Sequence, residues 1–120
     1  MAALATGNAR FRRIPEKSFM NTAPSIRIHE KQFMAQVVEV ATLLGWLVYH
    51  TYDSRRSTPG FPDLTMCKRG RLILAELKTD TGKVSPAQSL WLSTLASCPG
   101  VEVYTWRPAQ WDDIVATLRR

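Results

Sequence analysis

Two carboxylates and an amine, Asp63, Glu76 and Lys78, are spaced so that they could hold a divalent cation and steady an anion beside it. Leu64–Lys68 and Arg71–Leu77 are apolar runs of strand length. Arg69-Gly70 between them reads as a two-residue hairpin turn, with glycine supplying a positive φ. With that turn Lys68 faces Arg71, and counting outward puts Asp63 opposite Glu76. Strand side chains alternate, so Leu72, Leu74, Glu76 and Lys78 share one face, with Glu76 and Lys78 roughly 7 Å apart. Facing carboxylates destabilise a ladder unless something positive compensates them. A divalent cation with the lysine amine beside it meets that need. The plainer alternative is an Asp63 that merely starts a strand after Pro62, with Glu76 and Lys78 on a solvated edge. Against it, Glu76 and Lys78 share the face of Leu72 and Leu74, and Gly60-Phe61-Pro62 fixes the backbone where a carboxylate must be aimed.

The elements that must position these groups follow from periodicity and punctuation. Residues 25–44 are helical in pattern, with Ile26, Phe33, Val37, Ala41 and Leu44 on one stripe and Gly45 as the stop. Glu30 falls on that stripe, and a carboxylate on a core face needs a reason. The plain reason is a first-turn glutamate favoured by the helix dipole and leaning out to solvent. The neighbouring His29 reads as a surface residue. Residues 46–52, rich in β-branched and aromatic side chains, predict the first strand. The loop 53–59 carries Arg55 and Arg56, well placed upstream of the hairpin to contact phosphate.

After Lys78 comes a polar loop with Gly82 and Lys83, then Ser85-Pro86-Ala87-Gln88 opens a helix as a capping box. The cap is a sufficient structural reason for Gln88, at a helix N-terminus that itself favours anions. Leu90, Trp91 and Leu95 supply the core face of this helix, Trp91 as core rather than as a base-stacking platform. Pro99-Gly100 ends it, Val101–Trp106 is a fourth strand, and Pro108 starts a last helix with Trp111, Ile114, Val115 and Leu118. The order αβββαβα predicts a mixed sheet flanked by helices, with a parallel crossover through the helix between the last two strands.

At 120 residues the chain has room for one core. Its net charge of +6 and pI near 9.8 suit a polyanionic partner, although charge alone does not separate DNA from RNA or a membrane surface. Residues 1–24 hold Arg10, Arg12, Arg13 and Lys17 against Glu16, a surplus of four minus one, or +3. They read as a basic arm, solvated or laid on DNA, ahead of a domain over 25–120. Cys67 and Cys98 have no metal spacing, and Cys67 reads as a buried strand thiol. With no apolar run of transmembrane length and no signal-peptide core, a soluble, cytoplasmic protein is expected.

Gly60-x-Pro62-Asp63-Leu64, Glu76-x-Lys78 and, after a glycine loop, Ser85-x-x-Gln88 together resemble the VRR-NUC branch of the PD-(D/E)xK nuclease superfamily. The likeness runs from about Glu30 to Arg107. It implies an α/β, restriction-endonuclease-like αβββαβ core and a DNA phosphodiesterase dependent on Mg²⁺ or Mn²⁺. It also implies metal ligation by Asp63, Glu76 and the Leu77 carbonyl, with Glu30 acting directly or through a water, and it places Gln88 near the site. Lys78 would orient the attacking water or stabilise transition-state charge. Small stand-alone members, many of them from phages, are similar to homodimeric enzymes that resolve four-way junctions. Arg12, Arg13, Arg55, Arg56 and Lys83 are the candidate DNA contacts, with no small-molecule cofactor and no membrane expected. The rivals are a nuclease of the same fold acting on flaps, single strands or duplex ends, and a basic DNA-binding module that does not cut. The presence of Asp63, Glu76 and Lys78 together argues against the second.

Overall fold

The turn at Arg69-Gly70 sets the register of the sheet. Both residues have positive φ (48° and 81°), the pairing of signs that matches the twist of a two-residue hairpin. A computed structural model describes residues 29–52 and 56–120. The arm predicted over 1–24, with Arg12 and Arg13, lies outside the described residues, as does Arg55.

The elements are α1 (Glu30–Leu43), β1 (Leu47–His50), β2 (Leu64–Lys68), β3 (Arg71–Leu77), α2 (Pro86–Ala96), β4 (Val101–Trp106), a 3₁₀ turn (Pro108–Gln110) and α3 (Trp111–Arg119). The sheet order is β1-β2-β3-β4, with the first three strands antiparallel and β3 parallel to β4 across the α2 crossover. Lys68 pairs with Arg71 and Leu64 with Ala75, the register predicted from the turn.

Helix α1 starts at Glu30 rather than at residue 25. His29 is its extended N-cap (φ −70°, ψ 152°), and the His29 N–H donates to the Gln32 carboxamide oxygen at 3.2 Å, which closes the helix start there. Gly45, at φ +95°, ends the turn after α1 as expected. Strand β1 is shorter than predicted because Trp46 turns inward and its indole N–H donates to the Leu118 carbonyl at 2.9 Å. At the other end the Thr51 N–H donates to the Asp63 carbonyl, at 2.8 Å.

The two faces of the sheet are covered unequally. On one, Phe33, Val37 and Ala41 of α1 and Ile114 and Leu118 of α3 form a single buried cluster with Leu64, Met66, Ile73, Ala75 and Leu77. On the other, α2 packs against β4 and buries Leu92, while Leu47 and Tyr49 of β1 stay 77% and 65% exposed. Cys67 pairs with Leu47 on this open half and is exposed, not buried as its strand position suggested. Alternation sends it away from Met66, and α2 does not reach it. Leu90 likewise is 67% exposed rather than core, since it lies about 200° around α2 from the buried Leu92. Trp106 and Leu118 go fully into the core.

Candidate active site

Asp63 sits one residue before β2, and the register carries it to the position beside Glu76 near the end of β3. Its carboxylate is held by the backbone, the Leu77 N–H donating to Asp63 Oδ2 at 2.8 Å. Glu76 is only 1% exposed, on the face that α2 covers. The side-chain amide of Gln88 donates to Glu76 Oε2 at 2.9 Å, and the Lys78 amine lies 3.7 Å from the same oxygen. The other oxygen, Glu76 Oε1, is buried and has no hydrogen-bond partner. Burial first and the Asp63 charge second push the Glu76 carboxyl up to about 8, against the pull of Lys78. A carboxylate with this environment is out of balance on its own.

Gln88 reaches Glu76 because of how α2 begins. Ser85 caps the helix, its hydroxyl accepting from the Gln88 N–H at 3.1 Å, and Pro86 occupies the first turn. Gln88 Oε1 in turn accepts from the Ser85 N–H at 2.8 Å. With its oxygen committed to the backbone, the amide has only its nitrogen to offer Glu76. The capping box and the place near the site that the resemblance implied are thus served by two ends of one side chain.

The loop before Asp63 is fastened to the same helix. Gly60 has φ +98°, and a Cβ there would come within 2.6 Å of the Ala87 backbone. The Trp91 indole N–H donates to the Pro59 carbonyl at 3.2 Å, and the Trp91 ring meets Phe61 edge-on, centroids 5.1 Å apart. Glycine at position 60 is therefore what lets Asp63 and Gln88 approach Glu76 from opposite sides. On the far side of Lys78, the Arg107 guanidinium donates to the Thr79 and Gly82 carbonyls, each at 2.7 Å, and pins the following loop.

Asp63 and Glu76 open into a cleft of about 1090 Å³, walled by Glu30 and Lys31 of α1, by His50 at the end of β1 and Tyr52 just after it, and by Gln88 and Trp91 of α2; Lys78 is not in its lining. Glu30 is exposed at the first position of α1, and its charge adds to the upward shift of Glu76. It lines the cleft without joining the pair: among the described residues, no three His, Cys, Asp or Glu side chains group closely enough to hold a metal ion. Leu77 enters the site through its N–H, and its side chain lies in the core on the opposite face. Arg56 and Lys83 are exposed, and the cleft lining includes neither. Sequence reasoning missed Lys31 and the aromatic wall of His50 and Tyr52, because nothing in their spacing shows that β1 stops short of Tyr52.

The profile of the VRR-NUC domain matches residues 9–109, most of the chain. The chain belongs to the VRR-NUC family. Two solved structures agree on the fold. A protein described as a VRR-NUC domain protein superposes with a TM-score of 0.61 at 16% identity, over 78% of this chain and 88% of that one. A second, described as a VRR-NUC domain, gives 0.60 at 24% identity, over 73% and 94%. No curated protein matches the sequence. The VRR-NUC fold is restriction-endonuclease-like and the domain is of nuclease type, so membership assigns this chain a nuclease function with DNA as substrate. No helix among the described residues is long and apolar enough to cross a membrane.

Proposed function

We propose that this VRR-NUC chain is a divalent-metal-dependent endodeoxyribonuclease selective for branched DNA, and that it resolves four-way junctions as a homodimer. The observation that carries the hydrolytic reading is the buried, partnerless Glu76 Oε1 beside Asp63 at the floor of the cleft. A cation between the two carboxylates would satisfy that oxygen and cancel the charge conflict, so the donor set fits Mg²⁺ or Mn²⁺. Bound there, the ion supplies Lewis-acid polarisation of the scissile phosphate.

The protein's own groups have separable tasks. The Leu77 N–H holds Asp63 in one orientation, and Gln88 holds Glu76. Lys78, anchored to the same strand, stabilises negative charge as it builds on the phosphate oxygens. Glu30 stands at the cleft wall, where it can serve the ion through a water. The Leu77 carbonyl is a further donor in this reading.

One site cuts one strand, and a four-way junction needs two symmetric incisions, which a two-fold dimer provides. Leu47 and Tyr49, exposed on the open half of the sheet, are the apolar surface that supports a second copy. Cleavage of plasmid, duplex and four-way junction in Mg²⁺ or Mn²⁺, with Asp63→Asn as control, tests the reading. Paired nicks across the junction are expected, together with binding that weakens steeply with salt. An Asp63→Asn protein cutting at the wild-type rate would sink the site assignment. A strict monomer by light scattering that prefers flaps would sink the resolvase reading alone.

A further inference from the structure

We propose that Tyr52, braced by His50, is a stacking platform for one unpaired nucleobase next to the phosphate that an ion at the carboxylate pair would hold. The inference rests on the nuclease reading and names what that site recognises in its substrate.

Tyr52 is 73% exposed although it lines the cleft. Its ring centroid lies 4.6 Å from that of His50, the planes tilted by 39°, so one side of the phenol ring is braced while the rest stands in solvent. The other aromatic residues of the cleft are already committed. Trp91 is tied to the Pro59 carbonyl and packed edge-on against Phe61. Tyr52 is also close to the chemistry in the chain's own geometry. The Thr51 N–H donates to the Asp63 carbonyl, and the Tyr52 Cα follows about 3.8 Å further on.

Charge decides which part of DNA meets this wall. Glu30, Asp63 and Glu76 outnumber Lys31 among the charged side chains lining the cleft, so the lining disfavours phosphates beyond the one the ion would hold. An aromatic ring offers a base face what it cannot offer a phosphate. In an intact duplex every base is covered by its neighbours above and below. Tyr52 is therefore best matched to a base that is already free, at a branch point, a flap or a mismatch.

The test uses the full chain and a branched DNA carrying 2-aminopurine at an unpaired position beside the branch, in Ca²⁺, which takes the same oxygen ligands and polarises phosphate less, so that cleavage is slow beside the reading. Wild type is expected to bind and quench the 2-aminopurine, as is Tyr52→Phe, which keeps the ring. Tyr52→Ala should leave it bright and bind this DNA about tenfold more weakly, with fully paired duplex binding unchanged. Quenching that persists in Tyr52→Ala, or equal losses on both DNAs, overturns the proposal. Cleavage in Mg²⁺ or Mn²⁺ without any Tyr52-dependent quenching removes this inference and leaves the nuclease standing. Tyr52-dependent quenching with no cleavage supports this inference and removes the nuclease reading.

Discussion

Strand β3 carries a charged group at each end, and the two are treated in opposite ways. At its start, Arg71 reaches across to β4 and grips Glu102 with two nitrogens, at 2.7 and 2.8 Å, and donates a third bond to the Thr117 carbonyl. The Tyr104 hydroxyl donates to the same carboxylate at 2.9 Å, and the guanidinium lies 4.9 Å from the centre of the Trp46 ring. Arg71 holds Glu102 below the usual carboxylate range, while burial pushes the Tyr104 phenol up to about 12. At the other end Glu76 keeps one oxygen without a partner and rises to about 8. The contrast between a fully satisfied carboxylate at one end of a strand and a half-satisfied one at the other is what supports reading the Glu76 end as the ligand site.

The largest effects should break the unsatisfied end. Asp63→Asn, Glu76→Gln and Lys78→Ala should each cut the cleavage rate by at least about 100-fold while DNA binding survives, as single-turnover and binding assays would show. Next comes Gly60→Ala, because its Cβ meets the Ala87 backbone at 2.6 Å. It should destabilise the fold by about 1–3 kcal/mol and depress activity at temperatures where the protein is still folded, since α2 must shift and Gln88 with it. Urea unfolding beside a rate measurement checks both.

At the satisfied end, Arg71→Ala should destabilise by about 2 kcal/mol and leave the rate per folded molecule unchanged. A large loss of rate in the folded protein would mean that the two ends are coupled. The pH dependence of stability should separate them further. Glu102 has a lowered pKa, so the stability it contributes is present above its ordinary 4.5 and is lost as pH falls. Glu76 has a raised pKa, so in metal-free protein stability is lost as pH rises from 4.5 through about 8. Melting curves in EDTA should show both slopes. Glu76→Gln should flatten the second, and Mg²⁺ or Mn²⁺ should raise the wild-type Tm at pH 8 but not that of Glu76→Gln. The smallest effect is expected from Glu30→Gln. If Glu30 serves the ion, the rate falls with stability intact, and if it serves the helix dipole, about 0.5 kcal/mol is lost with the rate unchanged.

Much of this was legible in the sequence because local chemistry dictated it. The Arg69-Gly70 turn fixed a register that placed Asp63 by counting, and Ser85-Pro86-x-Gln88 announced a helix start, while only the family resemblance put Gln88 near the carboxylates. What could not be read depended on which surfaces meet. Cys67 and Leu90 look like core until the position of α2 is known. Glu30 was on a helical stripe, yet the helix begins beneath it, so it faces the cleft instead of the core. The grip of Arg71 on Glu102 joins residues 31 apart and has no pattern in the chain.

The start of α2 also limits what backbone resemblance can report. A capping box closes as well with glutamate as with glutamine, since the Ser85 N–H asks only for an oxygen. Glu76 is what tells the two apart, because it accepts a proton donor and repels another anion. A relative with glutamate at the position of Gln88 would trace the same ribbon, cap the same helix and still be a decoy, its difference confined to one nitrogen.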